Sequence, residues 1–169
     1  MRPFTRLLPC LSLSFAMLAP AGALAEPSAI YLVRHGEKAA VGQDPELTAQ
    51  GQARAQAIAT ILHKTGVNQV FSTPTNRTRQ TAQPLAQRLG VEVQLYDPRA
   101  PKALVEKVKA LSGPVLVVGH SNTLPELVRL FGGAPGSDIG DDEYDRLYQL
   151  TPAAGGAVRT VLLSTPSAP

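Results

Sequence analysis

Cysteine is nearly missing from this 169-residue chain, and histidine is scarce: one Cys and three His. The single Cys10 falls within an apolar N-terminal stretch, and past that stretch there is none, which excludes a disulfide framework and a thiolate metal site. Strong charge is also lacking. Of 16 basic residues, Arg2 and Arg6 lie in the N-terminal stretch, leaving 14 against 13 acidic ones. A balance of +1 does not leave the basic footprint of a nucleic-acid binder. No apolar run after residue 25 is long enough to span a bilayer, which takes roughly 20 residues, so no stable membrane span is expected once the leader is removed.

The first 25 residues have the layout of a secretory signal peptide: a basic start, a mostly apolar run from Leu7 to Leu18, and "ALA" at 23–25 before Glu26. Cleavage after Ala25 gives a mature chain of 144 residues, Glu26 to Pro169. That length suits one domain, 26–169, with one core. A periplasmic or secreted location follows as an expectation.

Strand-like and helix-like segments alternate through that domain. Ser28–Val33, Val67–Phe71, 91–96 and Val115–Val118 read as strands. Helices are expected from a Thr48 N-cap to about Lys64, from Asn76 to Leu89, from Pro101 to near Leu111, and from Leu124 to Phe131. Ile58, Ile61 and Leu62 are the expected core face of the first helix, and Pro84 is expected to kink the second. Residues 132–142 read as loop, two short strands at about 146–150 and 157–163 as a closing hairpin, and "STPSAP" at 164–169 as a disordered tail. This alternation predicts a three-layer α/β/α domain with a mostly parallel central sheet.

The polar residues that matter follow the strands. Arg34 and His35 come directly after the first, Ser72 to Arg77 after the second, and Gly119 and His120 after the Val-rich one. In a parallel sheet these ends share one edge, where open α/β folds bind ligands. Two guanidinium forks suit the oxygens of a phosphoryl group. Arg77 is expected in a first helical turn, where free N–H groups favour an anion. A histidine can take a phosphoryl group on one ring nitrogen if the other donates its proton. Gly36 gives the sharp turn after it, and a second histidine can donate to a phosphoryl oxygen. No metal and no cofactor are required by this chemistry.

At these residues the chain resembles the histidine phosphatase superfamily, which also holds the phosphoglycerate mutases. "LVRHGE", "LTAQGQARAQAIA" at 47–59, "STPTNRTRQTA" at 72–82 and "VVGHSN" are similar to its ordered motifs. The resemblance implies His35 as nucleophile, with Arg34, Arg77 and His120 as the rest of a substrate-binding phosphate pocket. The glutamate acid of mutase-like members has no counterpart in "LYDPRAPK" at 95–102. Asp97 and Glu37 are then the candidate proton donors, with Glu126 or the acidic loop 138–145 as alternatives, or no dedicated acid. Within it, "DDEYD" at 141–145 reads first as solvated, and second as a wall of the crevice that selects substrate. His63 and Arg79 read as surface residues.

The expected function is an exported phosphatase hydrolysing a phosphomonoester through a covalent phosphohistidine. Its partner would be a small phosphorylated substrate, with cell-envelope glycan phosphate as one that fits the location. A non-catalytic phosphate-ligand binder and a phosphomutase are the alternatives. A serine-hydrolase elbow at "GHSNT" fails, because no histidine follows Ser121 to complete a triad.

Overall fold

In a computed structural model of the protein, residues 26–166 are described; the expected leader at 1–25 and the last three residues lie outside that range. Eleven elements follow in order: β1 (Ile30–Arg34), α1 (Ala49–Leu62), β2 (Gln69–Ser72), α2 (Asn76–Leu89), β3 (Val93–Leu95), α3 (Pro101–Lys109), β4 (Val115–Gly119), α4 (Leu124–Leu130), β5 (Arg146–Pro152), a 3-10 turn (Ala154–Gly156) and β6 (Val158–Ser164). The six strands form one sheet in the order β3-β2-β4-β1-β5-β6. The first four in that order are mutually parallel, whereas β5 runs antiparallel to β1 and β6 antiparallel to β5. The expected three-layer, mostly parallel domain is thus what the chain forms, with an antiparallel hairpin added at one edge.

Strand periodicity divides the core in two. Leu32, Phe71, Val115, Val117 and Tyr148 face one way and pack under Leu104, Val108, Leu124 and Val128 of α3 and α4. Tyr31, Val33, Val70, Leu116, Val118 and Leu147 face the other way, under Ile58, Leu62, Ala82 and Leu85 of α1 and α2. Both sheet faces are therefore covered, which is why β4 needs the unbroken apolar run Val115–Val118, all fully buried.

Two expectations need correction. Ile61 is 39% exposed, because α1 packs through small side chains, with Gly51, Ala55 and Ala59 beside Ile58 and Leu62. The buried face of that helix also carries Arg54, 4% exposed and one turn before Ile58. The start of the stretch expected to be a disordered tail is ordered: Ser164 ends β6, and Thr165 is buried, its N–H donating to the Asp145 carbonyl at 2.7 Å. Helix α2 has the expected bounds, runs on through Pro84, and stops at Gly90 in the left-handed region (φ +67°).

Candidate active site

Adjacent strands bring the two histidines together. The His35 N–H donates to the Gly119 carbonyl at 3.0 Å, joining the ends of β1 and β4, and the rings of His35 and His120 lie 5.4 Å apart edge to face. His35 is 3% exposed. Its Nδ1 lies 2.8 Å from the Gly36 carbonyl oxygen. A carbonyl can only accept, so Nδ1 carries the proton and Nε2 keeps its lone pair. Burial pushes the His35 pKa down to about 3; the Gly36 carbonyl opposes this, and the positive fields of His120, Arg77 and Arg34 reinforce it. The ring is a neutral imidazole of fixed tautomer at neutral pH.

The backbone around it is held closely. The Gly36 N–H donates to Thr81 Oγ1 at 2.9 Å, and a Cβ on Gly36 would sit 2.6 Å from the Gly51 carbonyl oxygen. Only two glycines allow α1 to press its first turn against the loop behind His35. Thr48 caps that helix, accepting from the Gly51 N–H at 3.1 Å, and its own N–H donates to the Glu37 carbonyl.

His120 is set from β2. Its Nε2 lies 2.9 Å from Thr73 Oγ1, and its N–H donates to Thr123 Oγ1. Burial lowers the His120 pKa to about 4, with Arg77 and Arg34 adding to the shift. Thr73 is itself buried and tied to Thr78 at 2.8 Å, so three hydroxyls, with Thr75, stand behind this histidine.

The two arginines are placed by different means. Arg34, 4% exposed, donates from Nη1 to the carbonyls of Gly140 and Glu143, both at 2.8 Å, and its guanidinium lies 4.0 Å from the Tyr144 ring centroid. Burial lowers its pKa, while Tyr144, Asp141, Asp142 and Glu143 oppose the shift. Arg77 lies in the first turn of α2 with Nη1 3.5 Å from Asp44 Oδ1. Among the described residues, the Nε atoms of Arg34 and Arg77 are the buried side-chain polar atoms with no hydrogen-bond partner. Two unpartnered cationic donors beside a neutral histidine form a site for an oxyanion.

The proton-donor candidates lie elsewhere. Glu37 turns away into a two-point pair with Arg54, with contacts of 2.6 to 3.1 Å. Burial, the largest single influence, would raise its pKa, but the Arg54 hydrogen bonds, a backbone hydrogen bond and the charges of Arg54 and Arg34 together hold it below the usual carboxylate range. Asp97 follows the edge strand β3, three strands away from β1, or ~14 Å at the usual strand spacing. It is held by Arg99, whose hydrogen bonds keep its pKa low. Glu126 is exposed on α4. His63 bonds its own helix at Thr60, and Arg79 is exposed, as a surface role for both requires.

Two features were not legible. The N-terminus of α2 is not open to an anion as expected, since Asp44 takes the Asn76 N–H with both carboxylate oxygens at 3.0 Å. The loop 138–145 is not merely solvated: its carbonyls and Tyr144 grip Arg34, and Glu143 pairs with Arg146, while Asp141 and Asp142 face water. Carbonyl contacts made at a distance of over a hundred residues leave no mark in a local pattern.

An α/β domain that gathers two histidines and two arginines at the carboxyl ends of its parallel strands is the class that fold and site define. Residues 30–99 match the sequence model of the histidine phosphatase superfamily (branch 1). The protein has the histidine phosphatase fold and, over that segment, the signature of the superfamily. Curated relatives include a "Probable phosphoglycerate mutase GpmB" of Escherichia fergusonii, 40% identical over 77 residues, which cover 41% of this chain and 35% of that protein. The protein of the same name in Escherichia coli K12 is 34% identical over 104 residues, covering 57% of this chain and 44% of the relative. The chain spans well under half the length of these relatives. Among solved structures, the protein histidine phosphatase SixA complexed with tungstate superposes with a TM-score of 0.58 at 19% identity, covering 81% of this chain and 97% of that one. A mycobacterial glucosyl-3-phosphoglycerate phosphatase with inorganic phosphate gives 0.62 at 17% identity, covering 83% and 98%. These likenesses concern the fold.

Proposed function

We propose that the protein is a phosphatase that hydrolyses a phosphomonoester by way of a phosphohistidine on His35. The observation that carries this reading is the neutral, tautomer-fixed His35 beside two arginines with unpartnered Nε donors. The Nε2 lone pair attacks phosphorus, the N–P bond forms, and the ester P–O bond breaks with its electron pair leaving on oxygen. Arg34, Arg77 and His120 hold the phosphoryl oxygens as charge develops. Water then attacks the phosphohistidine, releasing inorganic phosphate and restoring the imidazole. Glu37 is engaged with Arg54 and Asp97 stands apart, so the reading favours substrates whose leaving group needs little protonation.

The same pocket could serve a phosphomutase, and the curated relatives carry that name. Hydrolysis is preferred because "LYDPRAPK" holds no counterpart of the mutase acid and because the expected leader would take the protein out of the cytoplasm, away from central metabolism. Export and a periplasmic or secreted location belong to this proposal and rest on residues 1–25, which lie outside the described range. A phosphate on envelope glycan is a substrate that would meet the protein there.

The test is a phosphatase screen on the mature protein against an aryl phosphate, sugar phosphates and nucleotides. His35→Ala should lower kcat by roughly three orders of magnitude or more, as loss of a nucleophile does. Turnover that survives this change rules out the covalent route, and a parent protein inert on every phosphomonoester points to the binder. N-terminal sequencing of the exported protein should read from Glu26.

A further inference from the structure

Arg54 has no part in the pocket, yet it is 4% exposed, and its guanidinium finds partners on two separate segments. Nε and Nη2 grip the Glu37 carboxylate, and Nη1 donates to Thr165 Oγ1 at 2.9 Å and to the Thr165 carbonyl at 3.2 Å. Each of these contacts leads back to the site. Glu37 shares a peptide with Gly36, whose carbonyl accepts the His35 Nδ1 proton. Thr165 donates from its N–H to the Asp145 carbonyl, next to the Tyr144 that lies against Arg34. The acceptor that fixes the His35 tautomer is therefore a backbone oxygen, and its direction depends on what holds the peptide between residues 36 and 37.

Local packing holds one end of that peptide through Thr81 and Gly51. At the other end Thr48 binds the Glu37 carbonyl, and Arg54 binds the Glu37 side chain. We infer that Arg54 is a positioning residue for the nucleophile: by clamping Glu37 against Thr165 it aims the Gly36 carbonyl at His35 and couples the nucleophile loop to the loop that holds Arg34. This rests on the reading of His35 as nucleophile. A planar fork held at both ends is suited to the task, whereas an ammonium is a point charge on a flexible stem and cannot hold the two partners in a fixed geometry.

A pair that served stability alone would behave otherwise. Removing one partner of a buried pair costs stability, because the other charge is left uncompensated, but the variant that still folds would then keep its kcat. The experiment compares Arg54→Gln, Arg54→Lys and Thr165→Ala with the parent in full-length mature protein, each checked for folding by its thermal melt. Arg54→Gln should lower kcat by about 10- to 100-fold, in line with a misplacement of the order of 1 Å. Competition by inorganic phosphate should change far less than kcat, because Arg34 keeps its own hydrogen bonds to Gly140 and Glu143 and Arg77 is placed separately beside Asp44. Arg54→Lys should recover part of the loss, and Thr165→Ala should show a smaller loss in the same direction.

The second readout needs no turnover. Nitrogen-15 spectra of the His35 ring should report the Nδ1–H tautomer in the parent and a mixture of tautomers in Arg54→Gln. If the parent proves inactive, the phosphatase reading falls, and the tautomer spectra still decide the clamp. An unchanged kcat together with an unchanged tautomer in folded Arg54→Gln overturns it. If that variant does not fold, Arg54→Lys and Thr165→Ala carry the same two readouts.

Discussion

A histidine that attacks phosphorus must be uncharged at the pH where it works, and the surroundings of His35 enforce this. Burial and the charges of His120, Arg77 and Arg34 bring its pKa to about 3, although the Gly36 carbonyl pulls the other way. Protonation of the free enzyme at His35 thus occurs far below the ordinary histidine range. A plot of kcat/KM against pH should accordingly have no acid limb from His35 between pH 7 and pH 5. A limb with a midpoint near 6.5 would mean that the ring is not held as described. The arginines can be separated by geometry as well as charge. Arg34→Lys keeps the charge but loses the planar fork, in which Nη1 holds two carbonyls while the other nitrogens are left for a ligand, so kcat/KM should fall by about 10- to 100-fold. Steady-state assays on an aryl phosphate measure it, and a loss under twofold would show that point charge suffices.

At the scale of elements, the site depends on how closely α1 approaches the loop after β1. A Cβ on Gly51 would lie 2.2 Å from the Glu37 carbonyl oxygen and 2.8 Å from its nitrogen. Backbone cannot yield as a flexible side chain can, so Gly51→Ala should push α1 away, lower the melting temperature and cut kcat together. Thr48→Ala removes the cap of the same helix and the hydroxyl contact to the Glu37 carbonyl but keeps the backbone N–H bond to it, and should cost about 1 kcal/mol of stability, read by denaturant unfolding, with a smaller effect on turnover. Equal effects from the two would mean that the glycine contact is not what sets the loop. These elements were largely legible in the sequence because caps, glycine stops and apolar runs are local signals. Thr48, Gly90 and the Val115–Val118 run mark their elements wherever the chain folds. Placement of His35, Arg34 and His120 on one edge followed from strand ends alone. What was hidden is non-local: Asp44 capping α2 from another loop, Arg54 buried on α1 between Glu37 and Thr165, and residues 140–144 gripping Arg34. Each depends on tertiary approach, for which a polar residue in a helix or loop gives no sign.

For the whole molecule, the same buried histidines tie stability to pH. His35 and His120 have folded pKa values of about 3 and about 4, below the ordinary 6.5 that the unfolded chain restores. Between these limits the unfolded state binds more protons than the folded one, so stability rises with pH there. It should be flat with respect to these two groups above about 6.5 and should decline steadily as pH falls from there toward 4. The carboxylate of Glu37, held low by Arg54, adds to the decline only at the acid end. Denaturant unfolding of the mature protein at pH 7.5, 6.0 and 5.0 measures this slope. His120→Asn should flatten part of it, since an amide can still meet Thr73 but binds no proton. Bound phosphate should also flatten it, because an anion on Arg34 and Arg77 offsets the positive field that keeps both rings neutral. A stability profile that does not change with pH between 7.5 and 5.0, with or without phosphate, would contradict the burial of two neutral histidines in one cationic pocket.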